Sequence, residues 1–550
     1  MKRRDFLQAS AALPAVVVAD RLSVSAAGAS VQEQDQISQA AQSRADLAGM
    51  NVVVFITDQQ RAITHFPEGW SEANLPAATQ LQQTGVTFEN AFCNACMCSP
   101  SRASLLTGLL PAQHGVKYTL EENMPNDEYP QVPLPLDLAN IGSVMGAAGF
   151  QTPYKGKWHV SKPAGSEWTT DDLAQYGFQR WDAPDAGANQ DLDQMGGGVA
   201  DHDGRFMEDD GPVEEGREGV LEFLTSDAAQ QQPFFLIVSL VNPHDVLTYP
   251  KNYIEGGYDD AALVGDIDLP PTIDESLATK PTAQKAILQL ANQGLGQLTT
   301  PEEQRNYLNF YGNLMKESDA YLMDILNVLA SQGLLENTLV VATSDHGEMG
   351  LAHGGMRQKS FNVYEETLRV PLVYSNPRLF PEPRSSQALV SHVDFLPTMA
   401  GLFDVPEEAR SDWQGVDYSS LLLDPAADAA QDYVVFTFDD IQQGQPIGPY
   451  VPPPNHIVSI REERYKLAKY YDANGVEPDQ WEMYDLVEDP LETINLAYAG
   501  YERTPEQERE LERLRARLTD IESTRLAPLP NTPVAQATPA APLVVATPVA

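Results

Sequence analysis

Val52-Val53-Val54-Phe55-Ile56, running into Thr57-Asp58-Gln59, is a block of five apolar residues, four of them β-branched, that gives way abruptly to polar ones. A strand with one wet face alternates apolar and polar residues, so an unbroken run of this length predicts a strand covered on both faces, as in a largely parallel sheet. Two later stretches repeat the design. Phe234-Phe235-Leu236-Ile237-Val238-Ser239-Leu240 leads to Asn242-Pro243-His244, and Leu339-Val340-Val341-Ala342-Thr343 leads to Ser344-Asp345-His346-Gly347. Each delivers polar groups just past a strand's C-terminal end, the edge where open α/β sheets form ligand sites.

Between the strands, residues 302–331 place Leu308, Tyr311, Met315, Leu322, Ile325, Leu326 and Leu329 near one helical face, and Gly333 stops the helix. Alternating strands and helices predict an α/β fold. Beyond about residue 425 the texture changes: 433–438, 456–461, 465–471 and 481–486 are short strand candidates separated by turn-rich segments, which predicts an antiparallel sheet. A charged amphipathic helix is expected over 506–521. The expected organisation is a catalytic α/β domain over 50–425, an α+β subdomain over 426–522, and a disordered Pro/Ala-rich tail over 523–550.

At the other end, Met1-Lys2-Arg3-Arg4-Asp5-Phe6-Leu7 sets twin arginines before an apolar stretch through Val18, with small residues near Ala27-Gly28-Ala29. This resembles a twin-arginine export signal over 1–29, followed by a polar linker over 30–49, and implies the export machinery as a partner and a periplasmic or secreted location. No stretch reaches the length of a transmembrane segment.

Net charge is −43, which argues against a nucleic-acid partner and demands a local positive cluster if an anion is to bind. The three cysteines, Cys93, Cys96 and Cys98, fall within six residues, so a disulfide framework is excluded. Cys93 and Cys96 lack a second Cys/His pair at zinc spacing and are expected to pack in the core. Cys98 opens Cys98-Ser99-Pro100-Ser101-Arg102-Ala103-Ser104-Leu105-Leu106-Thr107-Gly108. Ser99 is expected to cap a helix whose first residue is Pro100, with Gly108 ending it in a left-handed conformation. Cys98 would then stand at a helix N-terminus, where free N–H groups favour an anion.

That stretch resembles the signature of the type I sulfatases. Lys155-Gly156-Lys157-Trp158-His159, Asn242-Pro243-His244 and the closing Tyr484-Asp485-Leu486 extend the likeness over nearly all of 50–500. The resemblance implies an alkaline-phosphatase-like fold: a large mixed sheet flanked by helices, with a smaller C-terminal antiparallel sheet subdomain. It implies hydrolysis of a small-molecule or saccharide sulfate ester by a nucleophile made from Cys98, which a formylglycine-generating enzyme oxidises to formylglycine. It further implies one divalent metal held by Asp58, Gln59, Asp345, His346 and residue 98; oxygen-rich ligation favours Ca2+, with Mg2+ or Mn2+ as alternatives. Arg102, Lys157, His159, His244 and Lys359 complete the implied catalytic set, Lys157 on a sulfate oxygen, His159 and His244 as proton carriers, and Lys359 at the leaving oxygen.

The chain departs from the pattern in two places. Many sulfatases carry two consecutive aspartates where Asp58-Gln59 stands, and Lys359 lies one residue farther from Arg369 than in arylsulfatases. The alternatives are a phosphonate monoester or phosphodiester hydrolase using the same site, and an exported metal-binding protein in which Cys98 stays a thiol. Substrate specificity is expected in the loops 182–215 and 245–300, and His114 and His353 near the pocket.

Overall fold

The computed structural model describes residues 47–530 and 532, apart from 63–64, 126–128, 130, 190–198, 201, 209–217 and 446–449. The export signal, nearly all of the linker, part of the 182–215 loop and nearly all of the tail beyond 530 lie outside the described residues. Leu47, at the end of the expected linker, is already packed in the core with Met50.

The sheet grows from the strand predicted at Val52. This strand, β1 (Asn51–Asp58), belongs to an eight-stranded sheet with β2 (Gly85–Phe92), β3 (Tyr154–Gly156), β4 (Phe235–Pro243), β5 (Thr338–Ser344), β6 (Arg369–Val370), β7 (Leu372–Ser375) and β8 (Arg384–Ser391). The order is β3-β4-β1-β5-β7-β2-β6, with β8 also on β2. β3, β4, β1 and β5 are mutually parallel, whereas β7 and β6 run antiparallel to their neighbours. All eight residues of β1 are buried. Val52, Val54 and Ile56 enter one apolar cluster and Val53 and Phe55 another, because successive side chains of a strand point to opposite faces. That two-sided burial is why the run is continuous rather than alternating.

Three helices matter for the site. α1 (Cys98–Thr107) packs Ala103, Leu105 and Leu106 into the first cluster. α2 (Thr282–Leu295) lies beside the cavity described below, and α3 (Pro301–Ser331) carries Leu322, Ile325, Leu326 and Leu329 onto the second cluster. The start of α3 is set by Thr300, whose hydroxyl accepts from the Glu303 N–H while the Glu303 carboxylate accepts from the Thr300 N–H, a reciprocal capping box. The C-terminal sheet has the order β12-β11-β10-β9, all antiparallel: β9 (Tyr433–Phe438), β10 (His456–Glu462), β11 (Tyr465–Tyr471) and β12 (Gln480–Asp485). One face holds α4 (Pro505–Ser523) through Leu511, Leu514 and Leu518; the other packs Phe436, Ile457 and Tyr470 with Phe361 and Tyr364 of the large domain.

His353 does not reach the catalytic cavity. Its backbone is left-handed (φ 50°), its ring stacks on Tyr364 at 3.5 Å between centroids, and Nδ1 lies 2.6 Å from Glu275 Oε2, with Glu366 Oε2 3.7 Å from Nε2. Burial opposes its charge, but the hydrogen bonds and fields of Glu275 and Glu366 prevail and push the imidazole up to about 9. A histidine raised on folding stabilises fully below its ordinary value, about 6.5, and that contribution disappears as pH climbs through about 9. The unfolding free energy is therefore expected to fall between pH 6.5 and 9.5 by up to roughly 3 kcal/mol, and His353→Gln to flatten that slope. An unchanged slope in the variant would show that other groups set it.

Candidate active site

The parallel strands β3, β4, β1 and β5 lie side by side, and their C-terminal ends deliver the predicted polar residues to one place. β1 pairs with β5 so that Thr57 faces Ser344, which sets Asp58 beside Asp345 across 287 residues of chain. Lys157 and His159 follow β3, and His244 follows β4. Facing them, α1 begins at Cys98 itself, with Met97 as the cap residue.

The helix start corrects the sequence reading by one residue. The Met97 carbonyl accepts the first helical hydrogen bond, from Ser101 N–H. Pro100 is the third helical residue rather than the first, tolerated because first-turn N–H groups have no intrahelical partner. Ser99 does not cap; its hydroxyl accepts from Leu120 N–H. Gly108 does end the helix at φ 66°.

Asp58, Cys98, Asp345 and His346 present ligand atoms that all lie within 4.8 Å of one another, and all four residues are buried. Cys98 Sγ is 3.3 Å from His346 Nε2, 3.6 Å from Asp58 Oδ1 and 3.8 Å from Lys359 Nζ. His346 Nδ1 donates to the Gly347 carbonyl at 3.1 Å, which points the Nε2 lone pair at the carboxylates. Burial first, then the Lys359 charge, hold this imidazole well below its usual range, so it is neutral and ligand-ready. Gln59, left-handed at φ 71°, donates through Nε2 to Glu348 at 2.6 Å, and this fixes Oε1 toward Lys359 Nζ, also at 2.6 Å. The two carboxylates and the imidazole, with residue 98 among them, form a group that could hold a divalent cation, while the Gln59 amide oxygen accepts from Lys359.

Arg102 is the electrostatic keystone. Its Nε donates to Asp345 Oδ2 at 3.0 Å, one terminal nitrogen to Asp58 Oδ2 at 3.2 Å, and the other to the Lys157 carbonyl at 3.0 Å and Ser239 Oγ at 2.6 Å. These protein groups, rather than residue 98, take its hydrogen bonds. Lys157 Nζ lies 2.7 Å from Asp58 Oδ2. Burial would raise the Asp58 carboxyl, but Lys157, His244, Arg102 and His346 outweigh it and hold Asp58 well below the usual range. Arg102, Lys157 and Lys359 supply the local positive cluster that a chain of net charge −43 needs.

His159 is left-handed at φ 57°, pinned by Asp185, whose carboxylate accepts from the N–H groups of Trp158 (2.8 Å) and His159 (2.7 Å). Its Nε2 donates to the Leu120 carbonyl at 2.7 Å, and Nδ1 has no hydrogen-bond partner among the described residues. Burial and the Lys157 charge keep the ring neutral, so Nδ1 offers a bare lone pair. His244 stands with Nδ1 3.9 Å from Asp245, which in turn holds His202 at 3.2 Å and Tyr258 at 2.7 Å; burial depresses His244 to about 4. Ser239, Glu348, Asp185 and Asp245 were not found from sequence.

The close approach of β3 to β4 requires Gly156. At φ 103°, a Cβ there would sit 1.9 Å from the Ser239 carbonyl oxygen. Gly156→Ala is expected to cost roughly 3 kcal/mol and to displace Lys157. A urea midpoint equal to that of the native protein would refute the contact.

Cys98, His159, His244 and Lys359 line a cavity of about 340 Å3. Cys93 and Cys96 are buried in a neighbouring apolar cluster. His114 bonds Ser104 Oγ and Val116 N–H and lies outside the cavity lining.

A cation-flanked donor set at the carboxyl edge of this mixed sheet, with a cysteine at the opening of a facing helix, is the arrangement of an alkaline-phosphatase-like hydrolase. The sulfatase family model matches residues 50–405, and a model described as N-sulphoglucosamine sulphohydrolase, C-terminal, matches 353–523. The chain belongs to the sulfatase family and is a sulfuric ester hydrolase. An ulvan-active sulfatase of Formosa agariphila is 26% identical over 456 residues, 81% of this chain and 76% of that protein. A solved structure in complex with its substrate D-glucosamine-2-N,6-O-disulfate has a TM-score of 0.62 at 19% identity, covering 86% of this chain and 98% of that one. The phosphonate monoester hydrolase of Silicibacter pomeroyi has a TM-score of 0.60 at 21% identity, covering 86% and 96%. At these identities the two structures speak for the fold. Among the described residues, no helix is long and apolar enough to cross a membrane.

Proposed function

We propose that this sulfatase is an exported, metal-dependent enzyme whose attacking oxygen belongs to residue 98 after oxidation of the Cys98 thiol to formylglycine. The observation that carries the reading is the position of Cys98: in the lining of the cavity, first residue of a helix, within 3.3–3.8 Å of His346, Asp58 and Lys359. Asp58, Gln59, Asp345 and His346 would hold the cation, Ca2+ being the first candidate for the oxygen donors and Mg2+ or Mn2+ the alternatives. When bound, that cation supplies positive charge to the sulfuryl oxygens.

The chain's own groups account for the remaining work. Lys157 and Lys359 bring ammonium charge to the sulfate end. Neutral His159 presents Nδ1 as a proton acceptor, its other nitrogen committed to Leu120. His244, its Nδ1 3.9 Å from Asp245, is placed to serve the leaving oxygen. Arg102 holds both carboxylates in register rather than touching the ester. A saccharide sulfate is the substrate class supported by the structural relative bound to a disulfated glucosamine. Maturation would need a formylglycine-generating enzyme, and the Arg3-Arg4 leader would take the folded product to the periplasm or outside.

Two measurements test this reading. Mass spectrometry of the peptide spanning Cys98, from protein made in the native host, is expected to show the aldehyde mass; a wholly unmodified thiol would refute the nucleophile. Assayed on an aryl sulfate, a phosphonate monoester and a phosphodiester, the enzyme is expected to favour the sulfate. A preference for phosphorus would move it to the chemistry of the phosphonate relative.

A further inference from the structure

Lys359 lines the cavity and brings its ammonium to 3.8 Å from Cys98 Sγ, while Gln59 Oε1 accepts from the same Nζ at 2.6 Å. Gln59 is in turn held at each of its other polar groups. Its N–H donates to Asp345 Oδ1 at 3.0 Å, its carbonyl accepts from the Tyr311 hydroxyl at 2.7 Å, and its Nε2 donates to Glu348 Oε2 at 2.6 Å. These contacts fix a left-handed backbone, φ 71°, in a fully buried residue.

The contact with Glu348 decides which way the amide faces. An amide keeps nearly the same shape when turned end for end, so only its partners set its polarity. A carboxylate accepts and an ammonium donates; between them Gln59 has one good orientation, Nε2 toward Glu348 and Oε1 toward Lys359. Glu348 is itself anchored, because its Oε1 accepts from the Tyr307 hydroxyl at 2.6 Å, Gln358 N–H at 3.0 Å and Gly350 N–H at 3.1 Å. It therefore grips Lys359 twice, through the backbone of the preceding residue and through the Gln59 amide. The oxygen of that amide has two lone pairs, so its bond from Lys359 leaves one for a cation.

We propose that Glu348 is a positioning residue for the reaction: it sets the polarity of the Gln59 amide, so that an oxygen rather than an NH2 group meets Lys359. Neither Glu348 nor Gln59 lines the cavity, and Glu348 acts only through its neighbours. The inference rests on the proposed part of Lys359 at the sulfate end. In Glu348→Gln, the Gly350 and Gln358 N–H groups claim the new amide's oxygen, which leaves its NH2 facing Gln59. Gln59 then either reverses, setting NH2 against the ammonium, or keeps a donor against a donor at position 348. Adding Gln59→Glu places acceptor oxygens toward both partners and restores the native charge of the pair.

The test uses the mature full-length enzyme, with p-nitrophenyl sulfate for turnover and urea midpoints taken in the presence of a chelator. Glu348→Gln is expected to lower kcat at least about tenfold and to lower the midpoint. Gln59→Glu alone, which sets two carboxylates face to face, is expected to lower the midpoint as well. The double variant is expected to regain at least about fivefold of the lost kcat and to melt above both single variants. Native kcat in Glu348→Gln overturns the inference. So does a double variant whose kcat is no better than that of Glu348→Gln, even if its midpoint recovers, since the amide would then serve the fold alone. If Glu348→Gln does not fold, a double variant active within about tenfold of native supports the inference and an inactive one overturns it. A native enzyme that leaves p-nitrophenyl sulfate intact removes the proposed chemistry and the inference together.

Discussion

Cys98→Ala is expected to lower kcat for sulfate-ester hydrolysis by at least about 10^4-fold while the protein stays folded. The two halves of this result have separate physical grounds. The substitution removes one sulfur atom from a buried helix start, a small-cavity loss of about 1 kcal/mol that the surrounding cluster absorbs. His346 Nε2, Asp58 Oδ1 and Lys359 Nζ, by contrast, converge on that side chain, Asp58 from the end of β1 and the other two from the chain after β5. Turnover of p-nitrophenyl sulfate, read together with circular-dichroism melting, checks the prediction. Activity within tenfold of native in a folded variant would move the nucleophile elsewhere.

Arg102→Met is expected to destabilise the protein, measured in the presence of a chelator, by about 3–5 kcal/mol. The methionine fills much of the same volume, so packing is not the cause. Arg102 is 2% exposed and neutralises Asp58 and Asp345, both fully buried. Without it, two carboxylates remain in a poorly solvated site with less compensation. Burial and Asp58 already push Asp345 up to about 7 even with the guanidinium present. Adding Asp345→Asn to Arg102→Met should therefore recover part of the loss, since one of the stranded charges is gone. Urea midpoints for the two single variants and the double variant close the cycle. A loss below about 1 kcal/mol for Arg102→Met would mean that the ion pairs hold geometry but little stability.

The legibility of the site varied with the kind of information each residue carries. Val52 to Ile56 announced a two-sided strand because burial on both faces removes the alternation that a half-exposed strand needs. Asp58, Asp345, His244 and Lys157 were recognisable because each follows such a run or stands in a short motif. Ser99 misled for an equally local reason: serine before proline is a good cap in isolation, but its hydroxyl found Leu120 N–H instead, and the helix began at Cys98. The resemblance put Arg102 in the catalytic set, yet its donors are consumed by groups on β1 and β4 and just past β5 and β3. Glu348, Asp185 and Ser239 gave no signal, since nothing in their neighbours shows that they pin Gln59, His159 and Arg102.

What this chain's sequence determined by itself was local and periodic: the buried strands, the long helix with its apolar face, the glycine that ends α1, and the motif around Cys98. Each of these depends on residues close together in the chain, where periodicity and backbone preference act directly. Only the tertiary structure decided that Asp58 would meet Asp345 and that Arg102 would bind both. Those contacts depend on strand register and loop closure across hundreds of residues, where free energy is shared over the whole sheet and no short stretch of sequence records it.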